Sequence, residues 1–61
     1  MTKQEAIQAM EHGHKVKHKL FMPHEYIYLK DGSIHDEDDM PLYGFWQYRI
    51  SNCWNKDWYI A

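Results

Sequence analysis

The segment Leu29-Lys30-Asp31-Gly32-Ser33-Ile34 narrows the choice of fold more than any other in this chain. Glycine accepts a positive φ without steric penalty, so Lys30-Asp31-Gly32-Ser33 predicts a tight turn that sends the chain back beside itself. The run before it, Tyr26-Ile27-Tyr28, is aromatic and β-branched, as strands are. Ser33 to about Asp36 should therefore pair antiparallel to Tyr26–Lys30. A sheet that begins as a hairpin needs a cover for one face, because an isolated hairpin is marginal in water.

The cover is predicted at the start of the chain. Thr2-Lys3-Gln4-Glu5 has the S/T-x-x-E form of a capping box, in which the Thr2 hydroxyl and the Glu5 carboxylate each take one free backbone N–H. Ala6, Ile7 and Met10 then fall on one helical stripe, and Gly13 follows at a position suited to ending the helix. This predicts about three turns, Thr2 to His12. From His14 the pattern alternates, with Val16 flanked by Lys15 and Lys17, and predicts a strand running to about Leu20. Pro23 closes that segment, and Asp57-Trp58-Tyr59-Ile60-Ala61 reads as a terminal strand.

Tyr43 to Trp54 holds five aromatic residues and one arginine in twelve positions. Pro41 fits the first turn of a helix. If a helix forms there, Leu42, Phe45, Trp46 and Ile50 share a face and leave Tyr43, Gln47 and Arg49 elsewhere. Read as a strand, the shared face is Leu42, Trp46, Tyr48 and Ile50. The helical reading is preferred despite Gly44. The expected architecture is a single α+β domain over residues 1–61: an N-terminal helix on an antiparallel sheet of three to four strands, with a short second helical segment around Leu42 to Arg49.

A chain of 61 residues buries only roughly 60% of its unfolded surface, so its stability is marginal. The lone Cys53 excludes an internal disulfide, and no paired Cys/His spacing announces a structural zinc. Ten aromatic residues, five Tyr, three Trp and two Phe, supply more apolar surface than so small a core encloses. The excess predicts a homo-oligomer or a ligand surface. A net charge of −2 argues against a dedicated DNA or RNA binder, although His14 to Lys19 is a basic run. No apolar leader and no run of about 18 apolar residues occurs. The expectation is a cytoplasmic protein with no membrane partner.

His12, His14 and His18 invite a metal reading, but the predicted helix ends among them, so their spacing does not place the rings together. The acidic run Asp36 to Asp39 lacks the glycine placement of a calcium loop. It reads as a solvated turn or as a partner for a helix dipole. Cys53 and the histidines contain no motif that joins a nucleophile to a base. The chain is expected to be non-catalytic, with no metal and no cofactor.

Binding chemistry has more support. An aromatic face that stacks on a base beside a cation that meets a phosphate is enough to hold a nucleotide. Phe21, Tyr26, Tyr28, Tyr43, Trp46, Tyr48, Trp54 and Trp58 offer the rings, and Lys15, Lys17, Lys19 and Arg49 the charge. Packing alone also accounts for most of these rings. Arg49 is the residue that packing explains least. Its fork suits phosphate or carboxylate, and an ion pair with the chain's own acidic run accounts for it equally well.

The order Thr2-Lys3-Gln4-Glu5-Ala6 to Gly13, then Lys15, Val16, His18, Phe21 and a closing Asp57-Trp58, resembles a family of small phage-encoded proteins. These are the Thoeris anti-defence sponges of the second type described, with their uncharacterised relatives. The resemblance implies a homo-oligomer that sequesters a cyclic or ADP-ribose-type nucleotide signal between subunits without cleaving it. The expected ligand-binding residues are Lys15, Lys17, Phe21, Tyr43, Tyr48 and Arg49. The rival expectation is a phage interaction module that blocks a host protein.

Overall fold

A computed structural model describes all residues, Met1–Ala61. Helix α1 spans Lys3–Glu11, with Thr2 as its N-cap. Both halves of the capping box form: Glu5 N–H donates to Thr2 Oγ1 at 3.1 Å, and Thr2 N–H donates to Glu5 Oε1 at 2.8 Å. The Thr2 bonds hold the Glu5 carboxyl below the usual carboxylate range. Ala6 and Met10 are buried, and Ile7 packs beside them.

Four strands form one antiparallel sheet: β1 Val16–His18, β2 Ile27–Lys30, β3 Ser33–Asp36 and β4 Trp58–Ile60, in the order β3-β2-β1-β4. Asp31 and Gly32 both take positive φ, 53° and 78°, the mirror-image turn that matches strand twist. The predicted hairpin forms with Lys30 opposite Ser33 and Tyr28 opposite His35. Strand β1 is shorter than the predicted His14–Leu20, and it pairs Val16 with Ile27 on one side and with Ile60 on the other. Residues 40–42 lie along the outer edge of β3. Leu42 N–H donates to the Ile34 carbonyl at 2.8 Å, and Asp36 N–H to the Met40 carbonyl at 3.0 Å.

Side chains alternate across a strand. Val16 and His18 are buried on the helix side, as are Ile27 and Trp58. Trp58 is fully buried, and its Nε1–H donates to the Trp54 carbonyl at 2.8 Å. Its indole ring meets Trp46 at 5.5 Å, Phe21 at 5.7 Å and His18 at 4.9 Å, all edge-on, the geometry that aromatic quadrupoles favour.

Residues 41–50 form no α-helix and no strand within a sheet. Gly44 adopts φ 72° and starts a 3₁₀ turn over Phe45–Tyr48. The left-handed residue prevents a continuous helix from Pro41. Phe45 is buried, and Leu42 and Trp46 pack against the core, as the helical reading required. Ile50 does not: it is 84% exposed. Each 3₁₀ residue turns the chain further than an α-helical one, and the turn ends before Ile50, so the predicted four-residue face is broken there. A second 3₁₀ turn, Asn52–Asn55, leads into β4. No helix is long and apolar enough to cross a membrane.

Candidate functional site

Arg49 follows the first 3₁₀ turn, and its guanidinium carbon lies 4.0 Å from the centre of the Phe45 ring and 5.3 Å from that of Trp54. One donor is used, Nη1–H to the Phe45 carbonyl at 3.2 Å. Nε is buried and has no hydrogen-bond partner. The ion pair expected as one alternative, with the acidic run, does not form. Asp39 instead takes Lys30, at 2.7 Å, in the chain's one salt bridge. Arg49 is thus held against two rings with donors in excess of acceptors. A guanidinium fixed in this way loses less rotamer freedom when it captures an anion than a free side chain does.

On the same part of the chain, Ser33, Ile34, Leu42, Tyr43, Gly44, Phe45, Trp46 and Gln47 line an open groove of about 250 Å³. Drug-sized ligands occupy roughly 300–1,000 Å³, so the groove accommodates one aromatic ring or base and leaves the rest of a larger ligand outside. The Lys3 ammonium lies 4.6 Å over the Trp46 ring and brings a cation to the groove wall. Lys3 was not among the expected site residues. Its place in the first turn of α1, ahead of the apolar stripe, gives no sequence signal of a contact with Trp46.

The six expected binding residues fall in different places. Tyr43 lines the groove, and Tyr43 and Tyr48 are each 81% exposed. Arg49 is on the adjacent turn. Phe21 is half-buried and packs edge-on to Phe45 at 6.5 Å, so its ring is part of the aromatic core. Lys15 and Lys17 belong to the other face of the sheet. Lys17 sits between the buried Val16 and His18 and opposite Tyr59, and the Lys15 ammonium lies 4.8 Å over the Tyr26 ring. Tyr43, Tyr48 and Arg49 fall within seven positions of the chain, and the two lysines lie on β1 and just before it.

The histidines do not gather. His18 is buried, donating from Nε2 to the carbonyls of Cys53 and Lys56, each at 2.8 Å, while Nδ1 accepts from Leu20 N–H at 3.0 Å. Those partners define the neutral Nε2–H tautomer. The alternation Val16-Lys17-His18 was the signal that places His18 with the core. His12 and His14 are exposed, and no group of three or more His, Cys, Asp or Glu converges.

The third polar cluster lies beyond β3. Asp39 accepts from the Tyr28 hydroxyl and from Lys30 Nζ. The Asp39 bond is the main reason the Tyr28 hydroxyl is pushed up to about 12. The same two donors hold the Asp39 carboxyl below its ordinary value, Lys30 first. Comparison with known protein families, characterised proteins and solved structures gave no match.

Proposed function

We propose that this chain is a non-catalytic, cytoplasmic binding module of a phage that holds a phosphate-bearing nucleotide of cyclic or ADP-ribose type. The observation that carries the reading is Arg49, stacked on Phe45 and Trp54 with a buried Nε that lacks an acceptor. The Nη donors that the Phe45 carbonyl leaves unbonded are the ones a phosphate oxygen would engage, in charge-assisted hydrogen bonds. The groove beside it supplies Tyr43 and Trp46 for stacking on a base. Its small volume supports a second copy of the chain as the other wall, and hence a homo-oligomer.

Calorimetry and thermal melting with cyclic dinucleotides, cyclic ADP-ribose isomers and ADP-ribose test this. Heat and a raised melting temperature with at least one of them are expected. Arg49→Gln should remove both effects while circular dichroism stays unchanged. No heat and no shift with any member of the panel sinks the reading.

A second reading, a module that covers a host protein, is favoured by one specific observation. Tyr43, Tyr48 and Ile50 stand 81%, 81% and 84% exposed within eight positions, and clustered exposed aromatics beside an arginine resemble the composition of interface hot spots. Pull-down from host lysate separates the readings: a stoichiometric protein partner supports the second, and its absence with nucleotide bound supports the first.

A further inference from the structure

The face of the sheet that α1 does not cover carries a second aromatic array, separate from Arg49 and the groove. Register puts Tyr28 opposite His35 and Lys17 opposite Tyr59. The rings of Tyr26 and Tyr28 are 6.2 Å apart and those of Tyr28 and His35 are 5.9 Å apart. Antiparallel sheets commonly leave one face to water, and that face is then ordinarily polar. Here the core is filled from the other side by Trp58, Phe45 and their neighbours. The tyrosines of the open face lie outside that core.

Charge is sorted on this face. Asp39, the carboxylate bonded to Tyr28, is neutralised by Lys30. Lys15 and Lys17 have no carboxylate partner, since Lys30–Asp39 is the one ion pair. Asp36, where the rest of the acidic run begins, is the last residue of β3 and lies across Ile27 from Val16, two strand spacings or about 10 Å from β1. Physiological salt screens charges beyond about 8 Å. Asp36 to Asp38 therefore act weakly at β1, and the bulk composition understates what this face attracts.

We propose that the open sheet face is a platform for single-stranded nucleic acid, with bases stacked on Tyr26, Tyr28 and Tyr59 and phosphates on Lys15 and Lys17. Stacking accepts any base because each presents a π-face, and lysine contacts follow the backbone. A duplex hides its bases from such a surface. This site is independent of the nucleotide reading of Arg49.

Fluorescence anisotropy with labelled oligothymidylate and oligouridylate tests the proposal, the two probes distinguishing DNA from RNA. Binding of at least one is expected, with log K falling against log salt at a slope of about −1.4, from about −0.7 for each of two phosphates neutralised. Lys17→Glu should weaken binding tenfold or more, and Tyr59→Ser several-fold, each with an unchanged far-ultraviolet spectrum. Arg49→Gln should leave it unaltered. No binding of either oligonucleotide overturns the proposal. So does equal binding of a duplex, equal displacement by a polyglutamate peptide, or indifference to Tyr59→Ser, since each leaves a charged patch without base stacking.

Discussion

His18 Nε2–H lies 2.8 Å from the carbonyl oxygen of Cys53, joining positions 35 apart in sequence. The same ring takes Lys56 O and Leu20 N–H, so one buried imidazole ties β1 to the 3₁₀ turn that precedes β4. Replacing it with leucine keeps the volume and strands three backbone groups. His18→Leu should cost at least about 2 kcal/mol, read as a lowered urea midpoint with the slope unchanged. Long-range ¹⁵N–¹H spectra of the native chain should show a protonated Nε2 and a bare Nδ1.

Trp58→Ala removes the ring that meets most of the aromatic cluster. Truncation of a buried aromatic costs about 3–5 kcal/mol, against a total of about 3–9 kcal/mol for a domain of this length. The variant should be largely unfolded, with near-ultraviolet circular dichroism lost. Retention of a native near-ultraviolet spectrum and a cooperative melt would show that the cluster is not the core.

Ile50→Ser tests the corrected assignment of the same region. Had Ile50 shared a buried face with Leu42, Phe45 and Trp46, the change would cost on the order of 2 kcal/mol. With Ile50 at 84% exposure, stability should change by no more than about 0.5 kcal/mol. Gly44→Ala should cost about 1–2 kcal/mol at its φ of 72°, with the added methyl group also pressing on Gln47.

Tyr28, Lys30 and Asp39 set two pH limits. Asp39 and Glu5 have lowered pKa values in the folded chain. Their contribution is present above the unfolded carboxyl range of about 4 and is lost as pH falls through the lower folded values. Tyr28 is raised to about 12, so its contribution is present below about 10, the unfolded value, and lost as pH rises toward the folded one. Melting temperature should hold between these limits and fall outside them. Asp39→Asn should return the ultraviolet titration of Tyr28 toward that of an ordinary tyrosine.

Features carried by adjacent residues were legible in the sequence. The capping box at Thr2 and Glu5 formed as expected, and so did the Asp31-Gly32 turn, because each is decided within four residues. The terminal strand also followed from local composition. Residues 41–50 were ambiguous because helix and strand both bury Leu42 and Trp46, and the choice rested on the backbone of Gly44. The second 3₁₀ turn left no mark, since four residues carry no period. For the candidate site, Tyr43, Tyr48 and Arg49 share one short segment that the sequence shows directly, whereas placing Lys15, Lys17 and Phe21 relative to it required knowledge of strand faces. The contact of Lys3 with Trp46 and the pairing of Tyr59 with Lys17 left no sequence signal for the same reason: the partners lie far away in sequence.

The segment laid along the outer edge of β3 bears on strand addition to this sheet. Fibrous growth by strand addition is a polymerisation, and each monomer must offer two reactive ends. Leu42 N–H and the Met40 carbonyl already occupy one end. The β4 end is engaged as well: Trp58 N–H donates to the Met1 carbonyl at 3.0 Å, and the Met1 ammonium donates to the Trp58 carbonyl at 2.7 Å, so each outer strand carries its own stop against a further strand.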